Sequence, residues 1–348
     1  VAKLANVSVG TASRVLNDTG YSSLDARTRV LAAADELNYQ PNLRARGLRK
    51  RSSLCIGLVI PDLLNVYYTA LADTVMQLLS HRGYHLTLAS TRDRPANEVE
   101  TLYGMVGQSV DGLIWVPTSP TEELIHLLHD HDTPAVAIVR RVPGDVIDTI
   151  MLDDLAGSKA SVHHLVGLGH ERIGFFGGDV KYSNFYDCWQ GYLEAHEEAG
   201  LSVDDRLVKL GSSRSTWVME AVHNLLRLED PPTALLVASN SLVPEVMSVL
   251  RQHAIKIPHD MSLISFDDIA WFSYSVPAMT AVRADHERLA EMAVDLLIER
   301  IEQPLKTKTA PAFLTVGFEL ILRESTETPR QGPLSVPLDR GSGAMRHA

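Results

Sequence analysis

Apolar residues along this chain keep two rhythms. From Ser53 onwards, short unbroken apolar runs alternate with longer amphipathic stretches. LCIGLVIP (54–61), YHLTLAST (84–91), GLIWVP (112–117) and PAVAIVR (134–140) have the character of parallel strands covered on both faces. Between them, 68–83, 96–108 and 121–131 carry apolar residues at helical spacing. The alternation resumes with helix 156–169, strand RIGFFGG (172–178), helix 184–200, a strand near 206–210, helix 215–228, strand ALLVAS (234–239), helix 242–253 and strand SLISFD (262–267). Repeated strand–helix units predict doubly wound parallel sheets, and two series of them predict two lobes.

The first fifty residues keep a helical rhythm only. Val1, Leu4 and Ala5 stand at the spacing of a first helix. Asn6 follows where a turn must enter a left-handed backbone, which asparagine tolerates better than most residues. Ser8 stands where an N-cap belongs. A second helix is predicted over 9–17, with Ala12, Val15 and Leu16 inward and Val9, Gly10, Thr11, Ser13, Arg14 and Asn17 outward. A third helix, opened by Ser22 or Ser23, buries Val30, Ala33, Ala34 and Leu37. Together they form an all-α helix-turn-helix unit. The short outward residues let a backbone approach base edges, and Arg14 can reach a guanine or a phosphate.

Charge separates this head from the body. Residues 1–51 hold nine Lys or Arg against four Asp or Glu, a net of +5, while the whole chain carries −11. A basic module on an acidic body is the footprint of a phosphate-binding head, so double-stranded DNA is the expected partner.

The 348 residues, 45% hydrophobic, suit two or three domains with real cores. No apolar run reaches the length of a membrane span and no signal-peptide pattern opens the chain, so no membrane partner is expected. Cys55 and Cys188 read as small buried residues in a reducing cytoplasm. No Cys/His cluster has zinc spacing, and no metal or cofactor is expected. No G-x-S-x-G elbow, P-loop or G-x-G-x-x-G fingerprint is present, which argues against an enzyme.

VSVGTASRVLN (7–17), ELNYQPN (36–42), HHLVGLGHERIGFFGG (163–178) and ISFDDIAWFSYSVPAMTAVR (264–283) together resemble the lactose-repressor (LacI/GalR) family of bacterial transcription regulators, over nearly the whole chain to about residue 325. The resemblance implies a helix-turn-helix domain (1–40), a hinge helix (41–52) and a periplasmic-binding-protein-like core (53–325). Its N-lobe would comprise 54–152 with 282–311, and its C-lobe 153–281 with 312–325. The segment 326–348, rich in Pro, Gly, Ser and Arg, reads as a disordered tail. The implied DNA contacts are Ser8, Val9, Gly10, Thr11, Ser13, Arg14 and Asn17 in the major groove, and Asn42, Arg44, Ala45, Leu48 and Arg49 around the hinge. Leu48 falls where the family places a minor-groove wedge, which unstacks a base step and kinks the duplex. Gly47 weakens the hinge helix by about 1 kcal/mol, so it is expected to order on DNA. Family members carry a few residues before the position of Val1, including the first helix's cap, and a chain without them is expected to bind DNA more weakly.

Ligands of such folds sit at strand carboxyl ends and between lobes. The loops there offer Asn65, Tyr67, Tyr68, Arg140, Cys188, Trp189, Ser239, Asn240 and Asp267. Asp267 is the leading candidate, accepting two ligand hydroxyls as its counterpart does in the family, while Asp268 suits a turn cap. One of Tyr67 and Tyr68 can stack on a sugar ring, and either can instead be lobe core. Cys188, Ser239 and Val139 stand where sugar-responsive relatives carry Arg, Asn or Asp, and Asp. The expected effector is therefore carbohydrate-like but less hydroxylated or differently shaped, anchored by Arg140 and Asp267. A vestigial cleft is the alternative within this class.

The function expected is a cytoplasmic, nucleoid-associated repressor that reads a near-palindromic operator as a homodimer. Its dimer surface is expected on helices 68–81 and 242–253, with Met76, Leu79, Val246 and Leu250 exposed. A transport solute-binding protein fits the core alone; the basic head argues against it.

Overall fold

The computed structural model describes residues 1–16, 20–39, 52–211, 215–303, 310–332 and 334. The chain divides into two compact units, Val1–Leu54 and Cys55–Ala348.

The first unit contains α1 (Val9–Leu16) and α2 (Leu24–Glu36). Ala5, Ala12, Val15, Val30 and Ala33 form its core, with Val1, Ala2, Val7 and Leu16 half-buried against it. Asn6 takes the left-handed backbone expected of it, at φ 49°. Residues 2–6 form turns rather than a first helix. In this stretch the Ala5 N–H donates to the Val1 carbonyl at 2.9 Å before the chain enters the left-handed turn at Asn6. Ser8 caps α1, accepting from the Thr11 amide at 3.1 Å, and Ser23 caps α2 through the Ala26 amide. Leu37, expected in the core, is 53% exposed. It is the C-cap of α2, where the chain leaves the helix and the buried face ends.

The second unit is built on two six-stranded sheets. The first runs β11 (Phe313–Val316), β5 (Asp148–Leu152), β4 (Ala135–Ile138), β3 (Gly112–Trp115), β1 (Cys55–Ile60) and β2 (His85–Ser90), all parallel. The second runs β12 (Phe318–Ile321), β10 (Thr280–Ala284), β9 (Ser262–Phe266), β8 (Ala234–Val237), β6 (Ile173–Gly177) and β7 (Val208–Leu210). It is parallel except at its edge, where β12 runs antiparallel to β10. Helices α3 (Val66–His81), α4 (Pro95–Gly107), α5 (Glu122–Asp130) and α10 (His286–Glu302) cover the first sheet. Helices α6 (Asp154–Gly167), α7 (Ser183–Glu198), α8 (Ser215–Leu226) and α9 (Val243–Gln252) cover the second.

The chain crosses between the lobes three times: between β5 and α6, between β10 and α10, and at Gly317 between β11 and β12. The last two crossings differ from the boundaries at 281/282 and 311/312 drawn from the sequence. β10 continues to Ala284 because Ala284 still pairs with Phe318, and β11 belongs to the first lobe because it pairs with β5. Short strands that take their place from distant partners carry little local signal.

Two further expectations change. Thr326–Arg330 is not a loose tail. Thr326 Oγ1 lies 3.0 Å from His164 Nε2, the Glu327 carbonyl 2.9 Å from His170 Nε2, and Arg330 donates to the Asp260 carbonyl at 2.8 Å. Polar composition hid these partners, which sit on the rim of the second lobe; 335–348 lies outside the described residues. Of the four residues assigned to a dimer surface, Met76 is 49% exposed, while Leu79, Val246 and Leu250 are buried. Leu79 shares the inward face of α3 with Tyr68, Leu71, Ala72 and Val75, and Val246 and Leu250 share that of α9 with Val243 and Val249. Each lobe needs that face for its own core. Leu79→Ala and Leu250→Ala are each expected to lower the unfolding free energy by about 2–5 kcal/mol, measured by urea denaturation.

Candidate functional site

In the first unit α1 turns a polar face outward. Val9 is 78% exposed, and Gly10 and Arg14 are exposed beside it. Ser8 Oγ lies 2.9 Å from Thr11 Oγ1, to which Arg14 donates at 3.3 Å, so the three side chains hold one another in place. A Cβ added at Gly10 would meet only Ser8 Oγ, at 3.7 Å, and Gly10 is not among the left-handed positions. The fold itself therefore does not require glycine there. Asn17, Asn42, Arg44, Ala45, Leu48 and Arg49 lie outside the described residues.

In the second unit the carboxyl ends of both sheets face a shared, narrow cleft. Asn65, Tyr67, Tyr68, Arg140, Cys188, Ser239 and Asp267 line it, as the loop reading expected. Asn240 joins it by hydrogen bonds: its Nδ2 donates to Asp267 Oδ2 at 2.8 Å and to Asn65 Oδ1 at 3.0 Å. Asn65 Oδ1 also accepts from the Tyr67 amide and caps α3. One short chain of bonds thus ties the start of α3 in one lobe to the end of β9 in the other. Asp267 is held at φ 63°, an unusual conformation for a residue with a Cβ. Trp189 is turned away from the cleft: it packs half-buried on the second lobe's core, edge-on to Tyr186. One position beyond Cys188 on a helix is a rotation of roughly 100°, enough to leave the cleft face.

Arg140, expected as a free anchor, is already engaged. Its Nη1 donates to Asp93 Oδ1 at 2.6 Å and to the Pro117 carbonyl at 3.2 Å, its Nη2 donates to Asp93 Oδ2, and its guanidinium stacks 3.8 Å from the centroid of the Tyr182 ring. The loop that offers Pro117 is fixed by Glu98, a buried carboxylate that accepts from Trp115 Nε1 and the amides of Thr118 and Ser119. Arg141 bonds Asp187 at 2.6 Å, and its amide donates to Ser183 Oγ. The Arg140–Tyr182 stack, the Arg141 contacts and the Asn65–Asn240 bond all span the two lobes. Asp268, read as a turn cap, is instead gripped by both Nη atoms of Arg323 at 2.7 and 2.8 Å.

Sequence reasoning missed Asp93, Asp154, Asn184 and Phe185 on the cleft wall. Asp93 follows the end of β2, and Asp154 follows β5, which the apolar pattern does not reveal. Asn184 and Phe185 lie in the first turn of α7. Several polar atoms here are buried without a protein partner: Tyr67 Oη, Arg140 Nε, Asp154 Oδ2 and Asn184 Oδ1.

The electrostatics follow from burial. Desolvation, reinforced by the charges of Asp267, Asp187 and Asp153, holds the Asp154 carboxyl well above the usual range. Burial also raises Asp267, against which the Asn240 donors pull. Burial, then Asp154 and Asp267, push the Cys188 thiol far up, so it stays protonated and unreactive.

Residues 1–42 match the bacterial regulatory proteins of the lacI family, and residues 162–326 match the periplasmic binding protein-like domain. Over 325 residues the chain is 30% identical to the HTH-type transcriptional repressor PurR of Actinobacillus pleuropneumoniae, covering 93% of this chain and 96% of that protein. The chain belongs to the lacI family. Among solved structures, this lacI-family protein is similar to the transcriptional regulator CelR in its cellobiose complex, with 28% identity, a TM-score of 0.71, and 93% of this chain and 98% of that one covered. It shares its fold with the lac repressor dimer bound to operator and the anti-inducer ONPF, at 22% identity and a TM-score of 0.82, with 94% and 97% covered. It is a DNA-binding transcriptional repressor with a ligand-binding domain, not an enzyme. Among the described residues no helix is long and apolar enough to cross a membrane.

A carboxyl raised in the folded state binds its proton more tightly there than in the unfolded chain. Its ionisation therefore removes stability as pH climbs from the ordinary carboxylate range through the raised pKa. Asp154→Asn is expected to stabilise the ligand-free protein by about 1–3 kcal/mol at pH 7, and hardly at all near about pH 4. Urea unfolding at the two pH values measures the difference.

Proposed function

We propose that this lacI-family repressor binds a near-palindromic operator as a homodimer and changes its hold on DNA when a small polar metabolite occupies the cleft between its lobes. The observation that carries the reading is the set of buried, unpartnered polar atoms of Tyr67, Asp154 and Asn184 in a cleft bridged by lobe-to-lobe contacts. Each unmet buried group costs about 1–3 kcal/mol, so a ligand that supplies the missing partners is held by the surplus. It would also favour one spacing of the lobes, because its partners lie on both.

On the DNA side, Ser8, Val9, Gly10, Thr11, Ser13 and Arg14 form the face that enters the major groove. Asn17 extends it, and Asn42, Arg44, Ala45, Leu48 and Arg49 serve as phosphate contacts and minor-groove wedge. An eight-residue helix reads only a few base pairs, and a twofold pair of such helices reads the two halves of a palindrome. The protein works in the cytoplasm, on nucleoid DNA. The effector site comprises Asn65, Tyr67, Tyr68, Asp154, Asn184, Cys188, Ser239, Asn240 and Asp267. Phe185 and Phe266 add apolar walls suited to the flat face of a ring.

Two outcomes follow. Gly10→Ala is expected to leave the fold intact, since the added methyl makes only an ordinary contact with Ser8 Oγ, and to weaken operator binding at least tenfold, about 1.4 kcal/mol, by holding the backbone off the bases. Fluorescence anisotropy with operator DNA, beside a melting curve, separates the two effects. A thermal-shift screen of the protein against saccharides, polyols, amines and nucleosides is expected to find a ligand. At a hundred times its Kd that ligand adds about 2.7 kcal/mol of stability, and the gain disappears in Asp267→Asn. Operator must then change ligand affinity by the same factor as ligand changes operator affinity. A ligand that binds free and operator-bound protein equally would sink the regulatory reading.

A further inference from the structure

The charges around the cleft do not balance. Asp62, Asp93, Asp154 and Asp267 line it, and the one guanidinium among the described lining residues is that of Arg140. Arg140 is bound to Asp93 by both Nη atoms, and the neighbouring Arg141 is bound to Asp187. Asp62 is exposed and accepts from the Leu64 amide. That leaves Asp154 and Asp267, 8% exposed and half-buried respectively, with no lysine or arginine among the described residues bonded to either. Asp267 accepts from Asn240 and feels His286, the imidazole edge-on to Tyr67. Asp154 Oδ2 accepts from no protein group, and the nine-tenths-buried Tyr67 hydroxyl beside it on the cleft wall is equally unpartnered.

We propose that the effector is a small organic cation, whose protonated nitrogen sits against Asp154 and Asp267 while the rest of the molecule lies on Tyr68, Phe185 and Phe266. This rests on the reading of the cleft as the effector site and narrows it to one chemical class. Hydroxyl groups could partner the same carboxyls, but only a cation lets both of them ionise in the desolvated pocket, where an isolated buried charge is far more costly than an unmet dipole. A phosphate or carboxylate would bring a further negative charge to it. An ammonium group supplies two or three donors and the missing charge together, and the Tyr67 hydroxyl can accept one of those donors. The small or apolar residues Val139, Cys188 and Ser239 leave room on the same walls without adding a competing cation.

The test is binding by the full chain of a matched set: D-glucosamine, N-acetyl-D-glucosamine, D-glucose and D-glucose 6-phosphate, followed by a metabolite library divided into amines, neutral compounds and anions. Stabilising ligands are expected among the amines only, and Asp154→Asn is expected to weaken them at least tenfold while narrowing the gap to their neutral analogues. A variant that fails to melt cooperatively is replaced by a measurement on the unaltered protein. Titration calorimetry in buffers of differing ionisation enthalpy is expected to show proton release as the amine binds, because it displaces the proton that burial keeps on the Asp154 carboxyl, with Asp267, Asp187, Asp153, Cys188, Tyr67 and His286 as the titratable groups around it. Proton uptake on binding overturns the inference. So does a neutral or anionic ligand whose binding is lost in Asp267→Asn, an outcome that leaves the cleft reading standing. Binding unaffected by both substitutions, or no stabilising ligand of any class, removes the cleft reading and this inference with it.

Discussion

Gly317 is the only residue between a strand of one sheet and a strand of the other. With the crossings after β5 and after β10, it makes three covalent links between the lobes, and three links forbid separation while allowing rotation about a common edge. Everything at the cleft depends on that constraint. The carboxyl ends of both sheets are brought to one gap, and the walls of the gap can change their spacing but not their pairing. Parallel sheets cooperate with this geometry because their loops collect at one end, so each lobe offers its loops to the other.

Across the gap the contacts are polar and few. Asn240 reaches Asn65, Arg140 stacks on Tyr182, and Arg141 reaches Asp187 and Ser183. Contacts at so few points leave a bound molecule with partners on both walls leverage over the spacing of the lobes. The arginines at first sight available to a ligand are spent on this task. Arg140 is locked by Asp93, by a carbonyl that Glu98 helps to fix, and by an aromatic face. It is better seen as a wall held rigid by its own partners than as a hand extended to the ligand. The acceptors left over, on Asp154, Asp267 and Asn184, set the chemistry of whatever enters.

The DNA-reading unit shows the opposite economy. Its core is five small or branched residues, and its outward face is short, polar and internally hydrogen-bonded. A glycine that the fold does not need sits in the first turn of α1. Residues kept against local helix propensity, without a packing reason, mark places where something outside the chain makes the demand.

The sequence by itself determined what depends on neighbours along the chain. The left-handed turn at Asn6, the caps at Ser8 and Ser23, the inward stripe of α1 and α2, the alternation of apolar runs with amphipathic helices, and the loops that carry Asn65, Arg140 and Asp267 are all local signals of period, capping and punctuation. The tertiary structure decided what depends on residues far apart. β5, β10, β11 and β12 are short, and they exist because partners tens or hundreds of residues away pair with them; the lobe boundaries moved for the same reason. Leu79, Val246 and Leu250 looked free to form an interface because helical spacing names a face but not what covers it. Arg140 looked free to bind and Asp268 looked like a turn cap because a charge's partner, Asp93 or Arg323, is chosen in space. Asp154, two residues past an unseen strand, became a cleft carboxylate only when two sheets closed around it.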